Sequence, residues 1–247
     1  MCLLVVASGV VDGWPLVVAA NRDEWLDRPA APVQQLAPGV VGGRDLLAGG
    51  TWLAAGAVVA GLTNQPSPAG RDPAKRSRGE IPLALAAATD AGAAVAAFRA
   101  TYRPGTYNPC WVLVGDRHGL WYLDLTDPDR LGVAALAPGV HVLENRPLGQ
   151  ASPKVDRVRE LLEAAGGPAG DPARWTPQAL QPVLADHTVT DPGAADPRRR
   201  LASACCVHAD GYGTRSAMVV RVPAAGPAEV WAADGPPCTT PLAPVDP

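Results

Sequence analysis

Two apolar runs at the amino end constrain the fold of this chain more than any other feature. Residues 3–11 and 15–20 are rich in β-branched residues, and the Asp12-Gly13 pair between them is a strong signal for a hairpin turn. Neither run alternates polar with apolar residues, as a strand with one solvated face would. We therefore expect a hairpin that is covered on both faces, inside a sandwich of several layers.

The rest of the chain is expected to supply further strands and a few helices around that hairpin. Strand patterns occupy 51–65 (turning near Gly56), 110–126, 139–145, 202–222 (turning at Asp210-Gly211) and 228–234. Helix-prone segments are 80–102 (broken near Asp90), 153–167 and 177–186. Since neither a linker nor an internal repeat divides the chain, residues 1–247 are predicted to form a single domain of the α+β class.

Composition and charge exclude several classes of function. The net charge is −3, and no basic block is long enough to suggest a nucleic-acid partner. No apolar segment reaches the roughly 18–20 residues that span a bilayer, so no membrane span is expected. A signal peptide is not expected either, because Asp12, Gly13 and Pro15 interrupt the amino-terminal apolar run and no Lys or Arg precedes it.

The cysteine and histidine content indicates the compartment and argues against a metal site. The chain has five cysteines without a regular spacing, which are Cys2, Cys110, Cys205, Cys206 and Cys238. An odd number without a framework favours a reducing, cytoplasmic location. The four histidines are scattered, and no CxxC or HExxH motif is present. We therefore predict that there is no metal site.

Cys2 has a chemical property that no other cysteine of the chain can have. If Met1 is removed, Cys2 carries a thiol and a free amine on the same carbon. An α-amine with a pKa of about 7.7–8 is a suitable base for the thiol. The alternative interpretation is a small apolar residue of the core.

Several polar residues stand at the ends of apolar strands, where the chain could bring them together. They are Asn21 to Glu24 after the second run, Asn64, Asn145 and Arg215. Each has an ordinary explanation, since asparagine favours turns and arginine is often a solvated charge at a rim. As a set they offer what a nucleophilic thiol needs, which is amide donors for an oxyanion and a carboxylate to hold the amine.

Motifs along most of the chain resemble one protein family. The segments MCLLVVA, AANRDEW, AGGTWLA, GLTN, SRGE, HVLEN and YGTRS lie within residues 1–216. They resemble the NRDE family, also called the transport and Golgi organisation family. That family is similar to the N-terminal nucleophile (Ntn) hydrolases, so the resemblance implies a four-layer αββα sandwich.

The resemblance also implies roles for individual residues. Cys2 matches the nucleophile of the cysteine branch, Asn64 and Asn145 match segments that hold oxyanion asparagines, and Arg215 matches the arginine-bearing segment near the end of that fold. With Arg22 and Asp23 these residues form the expected catalytic set. The expected substrate-binding residues are Asn21, Glu24, Thr63 and Arg78.

One segment departs from the cysteine acylases, which carry an R-N-x-D-W pattern after the second strand. This chain has Asn21-Arg22-Asp23-Glu24-Trp25 instead. If the strand continues, Asn21 and Asp23 share one face, while Arg22 and Glu24 share the other. We expect Asp23 to face the site, and Arg22 to reach it only if the chain turns there.

Two functions fit these residues. The first is an amidohydrolase or acyl hydrolase that uses Cys2 on an amide or thioester of a small amphipathic molecule and requires no cofactor. The second is a non-catalytic carrier, because eukaryotic relatives in the family are linked to haem movement and to lipid metabolism. Haem is a candidate ligand, although no His or Met pair stands at a recognisable spacing. The sequence defines no substrate, and it leaves open whether the chain forms a homo-oligomer.

Two further expectations concern charge and reactivity. Arg71, Arg76 and Arg78, with Lys75, could meet an anionic group of a ligand or could lie in a solvated loop. If the amine and an arginine lower the pKa of the Cys2 thiol, Cys2 should be alkylated at pH 6 before Cys238, which is expected to be exposed and unperturbed.

Overall fold

The computed structural model describes residues 2–67, 70–166 and 170–245. Its strands, in chain order, are β1 (Cys2–Val11), β2 (Trp14–Trp25), β3 (Ala30–Ala37), β4 (Val40–Asp45), β5 (Leu53–Ala55), β6 (Val59–Asn64), β7 (Cys110–Gly115), β8 (Leu120–Asp124), β9 (Gly132–Leu136), β10 (Gly139–Leu143), β11 (His208–Ala209), β12 (Tyr212–Val222), β13 (Glu229–Ala233) and β14 (Ala243–Pro244). Its α-helices are α1 (Glu80–Ala86), α2 (Ala91–Thr101), α3 (Pro153–Ala164), α4 (Pro177–Leu184) and α5 (Pro197–Leu201), with a 3₁₀ helix at Pro172–Trp175.

The strands form two antiparallel sheets. The first sheet has the order β10-β1-β2-β12-β13-β14, with β11 paired to β12. The second sheet runs from β3 to β9 in chain order. The amino-terminal hairpin therefore occupies the middle of the first sheet, where both of its strands have neighbours.

The predicted hairpin is confirmed, and so is its burial on both faces. Val11 pairs with Trp14 across the turn, and Gly13 has a φ of 77°, a left-handed conformation that glycine adopts without a penalty. Leu4 contributes to the core between the sheets, whereas Leu3 contributes to a second core under helices α3 and α4. The absence of alternation in the sequence follows from these two apolar environments.

Four layers result, as the resemblance implied. Helices α3 and α4 cover the outer face of the first sheet, and helices α1 and α2 cover the outer face of the second. The predicted break near Asp90 is confirmed, because its carboxylate accepts a hydrogen bond from the Ala93 amide at 2.6 Å and caps α2. The predicted stop of α3 at Gly166-Gly167 is confirmed as far as it is described, because α3 ends at Ala164 and Gly166 has a φ of 78°, whereas residue 167 lies outside the described residues.

The predicted hairpins over Gly56 and residues 117–119 are also confirmed. The turn at Asp210-Gly211 is confirmed, but the strand before it covers only His208–Ala209, so the strand expected from residue 202 onward is wrong over residues 202–207. The sequence patterns did not indicate β9, α5 or the two-residue strand β14. None of the described helices combines the length and the apolar character needed to cross a bilayer.

The topology brings four strand ends to one edge of the sandwich. The start of β1 pairs with the end of β2, with Cys2 opposite Arg22. The end of β10 also lies beside the start of β1, with Leu143 opposite Leu4. Strand β6 ends at Asn64 in the facing sheet. Residues that are far apart in sequence therefore meet around Cys2.

Two histidines that are distant in the sequence lie close together in the structure, beside two cysteines. His187, Cys206, His208 and Cys238 come from three segments, and their ligand atoms lie within 4.8 Å of one another. Cys238 is half-buried and lies 3.7 Å from the sulfur of Cys206, so it is not the isolated, exposed thiol that was expected. Tertiary packing of distant loops produces this cluster, which no local spacing could indicate.

Candidate active site

A cleft lies over Cys2 at this edge of the sandwich. The space between its walls, including the open mouth, is about 740 Å³. Charged side chains dominate the lining. They are Arg22, Asp23, Glu24, Arg28, Asp45, Arg71, Arg76 and Arg78. Apolar contacts come from Trp52 and Leu62, and Asn64 and Asn108 add amide groups.

Cys2 forms part of the wall of this cleft and is 5% exposed. Its backbone nitrogen donates a hydrogen bond to Oδ1 of Asn145 at 3.1 Å. Burial raises the pKa of the Cys2 thiol, and the positive amino terminus and Arg22 offset only part of that rise. The thiol is therefore protonated at neutral pH while Met1 is present. The expected lowering of its pKa concerns the chain without Met1 and stays a prediction.

Asn145 acts as a clamp between Cys2 and the second sheet. Its Oδ1 accepts from Cys2, and its Nδ2 donates to the backbone carbonyl of Asn64. The neighbouring Glu144 carbonyl accepts a hydrogen bond of 2.7 Å from the hydroxyl of Thr63. Asn145 thus positions the Cys2 nitrogen, whereas the resemblance implied an oxyanion donor. Thr63 is fully buried and holds the two sheets together, so its side chain has a structural contact instead of the expected contact with substrate.

Asn64 is the amide that faces the cleft. It ends β6, and its side chain lines the cleft together with Cys2. Its Oδ1 is buried and hydrogen-bonds to none of the described residues. A half-turn of the carboxamide exchanges Oδ1 and Nδ2, so this position can offer either an acceptor or a donor to a ligand.

The end of β2 places Arg22 on the same side as Cys2. The strand continues to Trp25, and Cys2 pairs directly with Arg22. Since side chains alternate along a strand, Arg22 and Glu24 face the cleft. Their charged groups lie 3.8 Å apart, and Arg22 also lies 3.9 Å from Asp45. The expectation that Arg22 needs a turn to reach the site is therefore wrong.

Asp23 and Asn21 point to the other side of β2. The Asp23 carboxylate accepts a hydrogen bond of 2.6 Å from the Thr214 hydroxyl, which in turn accepts from the Val207 amide at 2.8 Å. Asp23 still borders the cleft, and its backbone N–H hydrogen-bonds to the Cys2 thiol. Asn21 is fully buried, and its amide donates to the carbonyls of Leu184 and Cys205. The structure therefore places Asn21 away from the cleft.

Arg215 holds the chain that follows β2. Its guanidinium donates to the carbonyls of Trp25, Leu26 and Arg28 at 2.7–3.2 Å. These hydrogen bonds fix the loop that carries Arg28, so the role of Arg215 in this structure is to position that loop. Arg28 in turn pairs with Asp45 at 2.7 Å. Sequence reasoning missed both Arg28 and Asp45, because neither stands at a strand end marked by a motif.

The arginines of the cleft differ in how they are neutralised. Arg22 and Arg28 share Glu24 and Asp45, and Arg76 pairs with Glu80 at 2.5 Å. Within the described ranges, no carboxylate lies at ion-pairing distance from Arg71 or Arg78. Burial lowers the pKa of Arg78, whose guanidinium donates to the Pro109 carbonyl at 3.2 Å. The cleft therefore holds two unneutralised positive charges suited to an anion.

The four-layer sandwich is the fold of the Ntn hydrolases, and in this chain a thiol stands at the start of its first strand. A Caenorhabditis elegans N-acylethanolamine-hydrolyzing acid amidase ortholog matches with a TM-score of 0.56 and 15% identity, over 91% of this chain and 94% of that chain. The C2A mutant of conjugated bile acid hydrolase from Clostridium perfringens matches with a TM-score of 0.50 and 11% identity, over 100% and 97%. At these identities the likeness concerns the fold alone.

The family assignment rests on the sequence itself. The model of the family described as "Transport and Golgi organisation 2" matches residues 1–232. The chain therefore belongs to that family, which confirms the resemblance. No sequence among the curated proteins matches this one.

Proposed function

We propose that this protein is a cysteine amidohydrolase or acyl hydrolase that acts on an amide or thioester of a small amphipathic molecule with an anionic group. One observation carries the proposal. The nitrogen that becomes the α-amine on removal of Met1 is held by Asn145 at 3.1 Å, directly beside a thiol in the cleft wall. An amine oriented in this way keeps its lone pair available as a base.

The reaction follows from these positions. The α-amine accepts the thiol proton, and the sulfur of Cys2 forms a bond to the substrate carbonyl carbon. The carbonyl oxygen becomes an oxyanion, to which the Asn64 amide donates after its half-turn. The ammonium then returns the proton to the leaving amine or thiol as the carbonyl bond to that group breaks. Water attacks the resulting thioester with the same amine as base. The bond between the carbonyl carbon and the Cys2 sulfur then breaks, the ammonium returns its proton to that sulfur, and the acid is released.

The charges of the cleft support an anionic substrate. No carboxylate among the described residues pairs with Arg71 or Arg78, and a carboxylate or phosphate accepts two parallel hydrogen bonds from a guanidinium group. Trp52 and Leu62 provide apolar surface beside them. The two structural neighbours are named as an amidase and a hydrolase, which agrees with this class of reaction.

One observation favours a second candidate function, a non-catalytic carrier of haem or an acyl ligand. Burial raises the pKa of the Cys2 thiol, and a neutral thiol is a weak nucleophile. The arginines that would bind a substrate carboxylate would bind a haem propionate equally well. The carrier needs no proton transfer at Cys2, so the two candidates differ in their dependence on the thiol and on a free amine.

The deciding experiment uses protein with a native amino terminus. Intact-mass analysis first identifies the fraction that lacks Met1, and that fraction is tested against N-acyl amides and acyl thioesters with and without a terminal carboxylate. We expect turnover that Cys2→Ala abolishes and that Cys205→Ala, which removes a buried thiol from another layer, retains. Arg78→Met should raise KM for the carboxylate-bearing substrates and leave KM for the neutral ones unchanged.

Two results would reject the hydrolase. The first is turnover that persists in Cys2→Ala. The second is a lack of turnover of every acyl compound, together with saturable binding of haem that gives a defined absorption band. The second result would establish the carrier instead.

A further inference from the structure

A cluster of two histidines and two cysteines lies behind the first sheet, away from the Cys2 cleft. The Cys206 sulfur lies 3.7 Å from the Cys238 sulfur and 3.7 Å from Nε2 of His208. Nε2 of His208 lies 3.3 Å from the Cys238 sulfur. The ligand atom of His187 lies within 4.8 Å of the ligand atoms of the other three residues. Its ring centroid is 5.0 Å from that of His208.

These separations are close to the edges of a zinc tetrahedron. With Zn–S bonds of about 2.3 Å and Zn–N bonds of about 2.0–2.1 Å, a regular tetrahedron has S–S edges of about 3.8 Å and S–N edges of about 3.5 Å. The three distances among Cys206, His208 and Cys238 match these edges to about 0.2 Å. The ring of His187, whose ligand atom lies within 4.8 Å of the other three, would have to approach by at most about 1.5 Å to complete the set.

Hydrogen bonds around the cluster orient its side chains for metal binding. Nδ1 of His187 lies 3.1 Å from the Cys206 carbonyl oxygen. When Nδ1 donates its proton there, the lone pair is on Nε2, as metal-binding histidines require. The Cys206 amide donates to the Asp186 carbonyl at 2.9 Å, which fixes the two ligand-bearing segments against each other.

The third segment is fixed by α4. Gln181 donates to the carbonyls of Pro237 and Thr240 and accepts from the amide of Leu242, so it holds both sides of the turn that carries Cys238. The frame around the four ligands therefore exists through contacts that do not depend on the metal. Both histidines are exposed, which leaves an entry path for an ion.

We propose that His187, Cys206, His208 and Cys238 bind one Zn²⁺ as a closed, structural site. Two thiolates balance the charge of the ion, and two neutral imidazoles complete four-coordination, which leaves no open position for chemistry. Thiolate and imidazole ligands in a tetrahedron select zinc over the harder cations, Mg²⁺ and Ca²⁺. Binding releases the two thiol protons to solvent.

The position of the site indicates what the metal stabilises. It ties the segment after α4 to the start of β11 and to the chain between β13 and β14. Val207, between two of the ligands, donates to the Thr214 hydroxyl that supports Asp23. A bound zinc ion would therefore stabilise the segment that supports the end of β2 through Thr214 and Asp23, although none of its four ligands lines the cleft.

Cobalt titration of the full chain tests this proposal. Protein freed of metal by a chelator under reducing conditions should bind one Co²⁺ per chain. The complex should give the visible bands of tetrahedral cobalt and a near-ultraviolet thiolate charge-transfer band, and Zn²⁺ should displace it. Chelation should lower the Tm of zinc-loaded protein, because an ion that binds only the native state stabilises it.

Variants locate the site. Cys206→Ser and Cys238→Ser should each remove much of the charge-transfer band, whereas Cys205→Ala should keep it. His187→Ala and His208→Ala keep both thiols and should weaken binding by at least about 10-fold, since even outer-shell partners matter by about 10- to 100-fold. His118→Ala is the control on an exposed histidine elsewhere. Circular dichroism confirms that each variant is folded.

Three outcomes would overturn the proposal. One is the absence of tetrahedral cobalt bands in folded protein. Another is a charge-transfer band that persists when Cys206 and Cys238 are both serine, which would assign the ion to a different thiol. The third is a Cys206–Cys238 disulfide, found by peptide mapping of protein kept under reducing conditions.

Discussion

Gly50→Ala should destabilise the protein, because two glycine backbones meet at this position. A Cβ built on Gly50 would lie 2.4 Å from the carbonyl carbon of Gly79, 2.6 Å from its oxygen and 2.7 Å from its Cα. All three contacts are with backbone, so no side chain can rotate away. The Thr51 amide donates to the Gly79 carbonyl at 3.0 Å in the same contact.

The size of the effect follows from the displacement. Ordinary contact of a Cβ begins at 3.4 Å, so Gly79 would have to recede by about 1 Å. Overpacking of this kind costs about 1–3 kcal/mol, and loss of the hydrogen bond from Thr51 adds about 0.5–1.5 kcal/mol. Alanine restricts the unfolded chain and recovers about 0.4–1 kcal/mol. We expect a net loss of about 0.5–4 kcal/mol in the free energy of unfolding.

Gly43→Ala is the matched control. Its Cβ would meet the Ala31 oxygen at 3.7 Å and Nε1 of Trp52 at 3.8 Å, which are ordinary contacts. This variant should be as stable as the parent or slightly more stable. Urea unfolding of both variants measures the difference as a shift of the midpoint at constant slope. Equal midpoints for Gly50→Ala and Gly43→Ala would refute the reasoning.

Two further predictions concern the surroundings of Cys2. Thr214→Val removes the hydroxyl between the Val207 amide and Asp23, so a buried donor is left unpaired. In urea unfolding, Thr214→Val should lose about 1–3 kcal/mol more of the free energy of unfolding than Thr214→Ser, which keeps the hydroxyl. Equal losses for the two variants would contradict this. In protein that retains Met1, burial raises the pKa of the Cys2 thiol, so its thiolate fraction is small at neutral pH. Alkylation of that form by iodoacetamide should stay slow at pH 7 and accelerate only in alkaline solution. A rate at pH 7 equal to that of a small free thiol would show that the thiol is more acidic than its burial implies.

The sequence by itself determined those features that depend on local pattern. The unalternating runs around Asp12-Gly13 specify a hairpin buried on both faces, because only strands with apolar layers above and below read that way. Asp90 marks a helix start through its own short-range hydrogen bond. The motifs indicated the family, but not why AGGTW and SRGE contain glycines. The contact between Gly50 and Gly79 supplies that reason.

The tertiary structure alone decided which of these residues meet. Alternation along β2 separates Arg22 from Asp23, but the side that faces Cys2 depends on the pairing of Cys2 with Arg22, twenty positions away. The partners that turned Asn145 into a clamp lie on β1 and on β6 of the facing sheet. The cluster around Cys206 and Cys238 depends in the same way on how α4 and β12 pack. Such contacts join segments with no fixed spacing in the chain, so only the packing of the layers could bring them together.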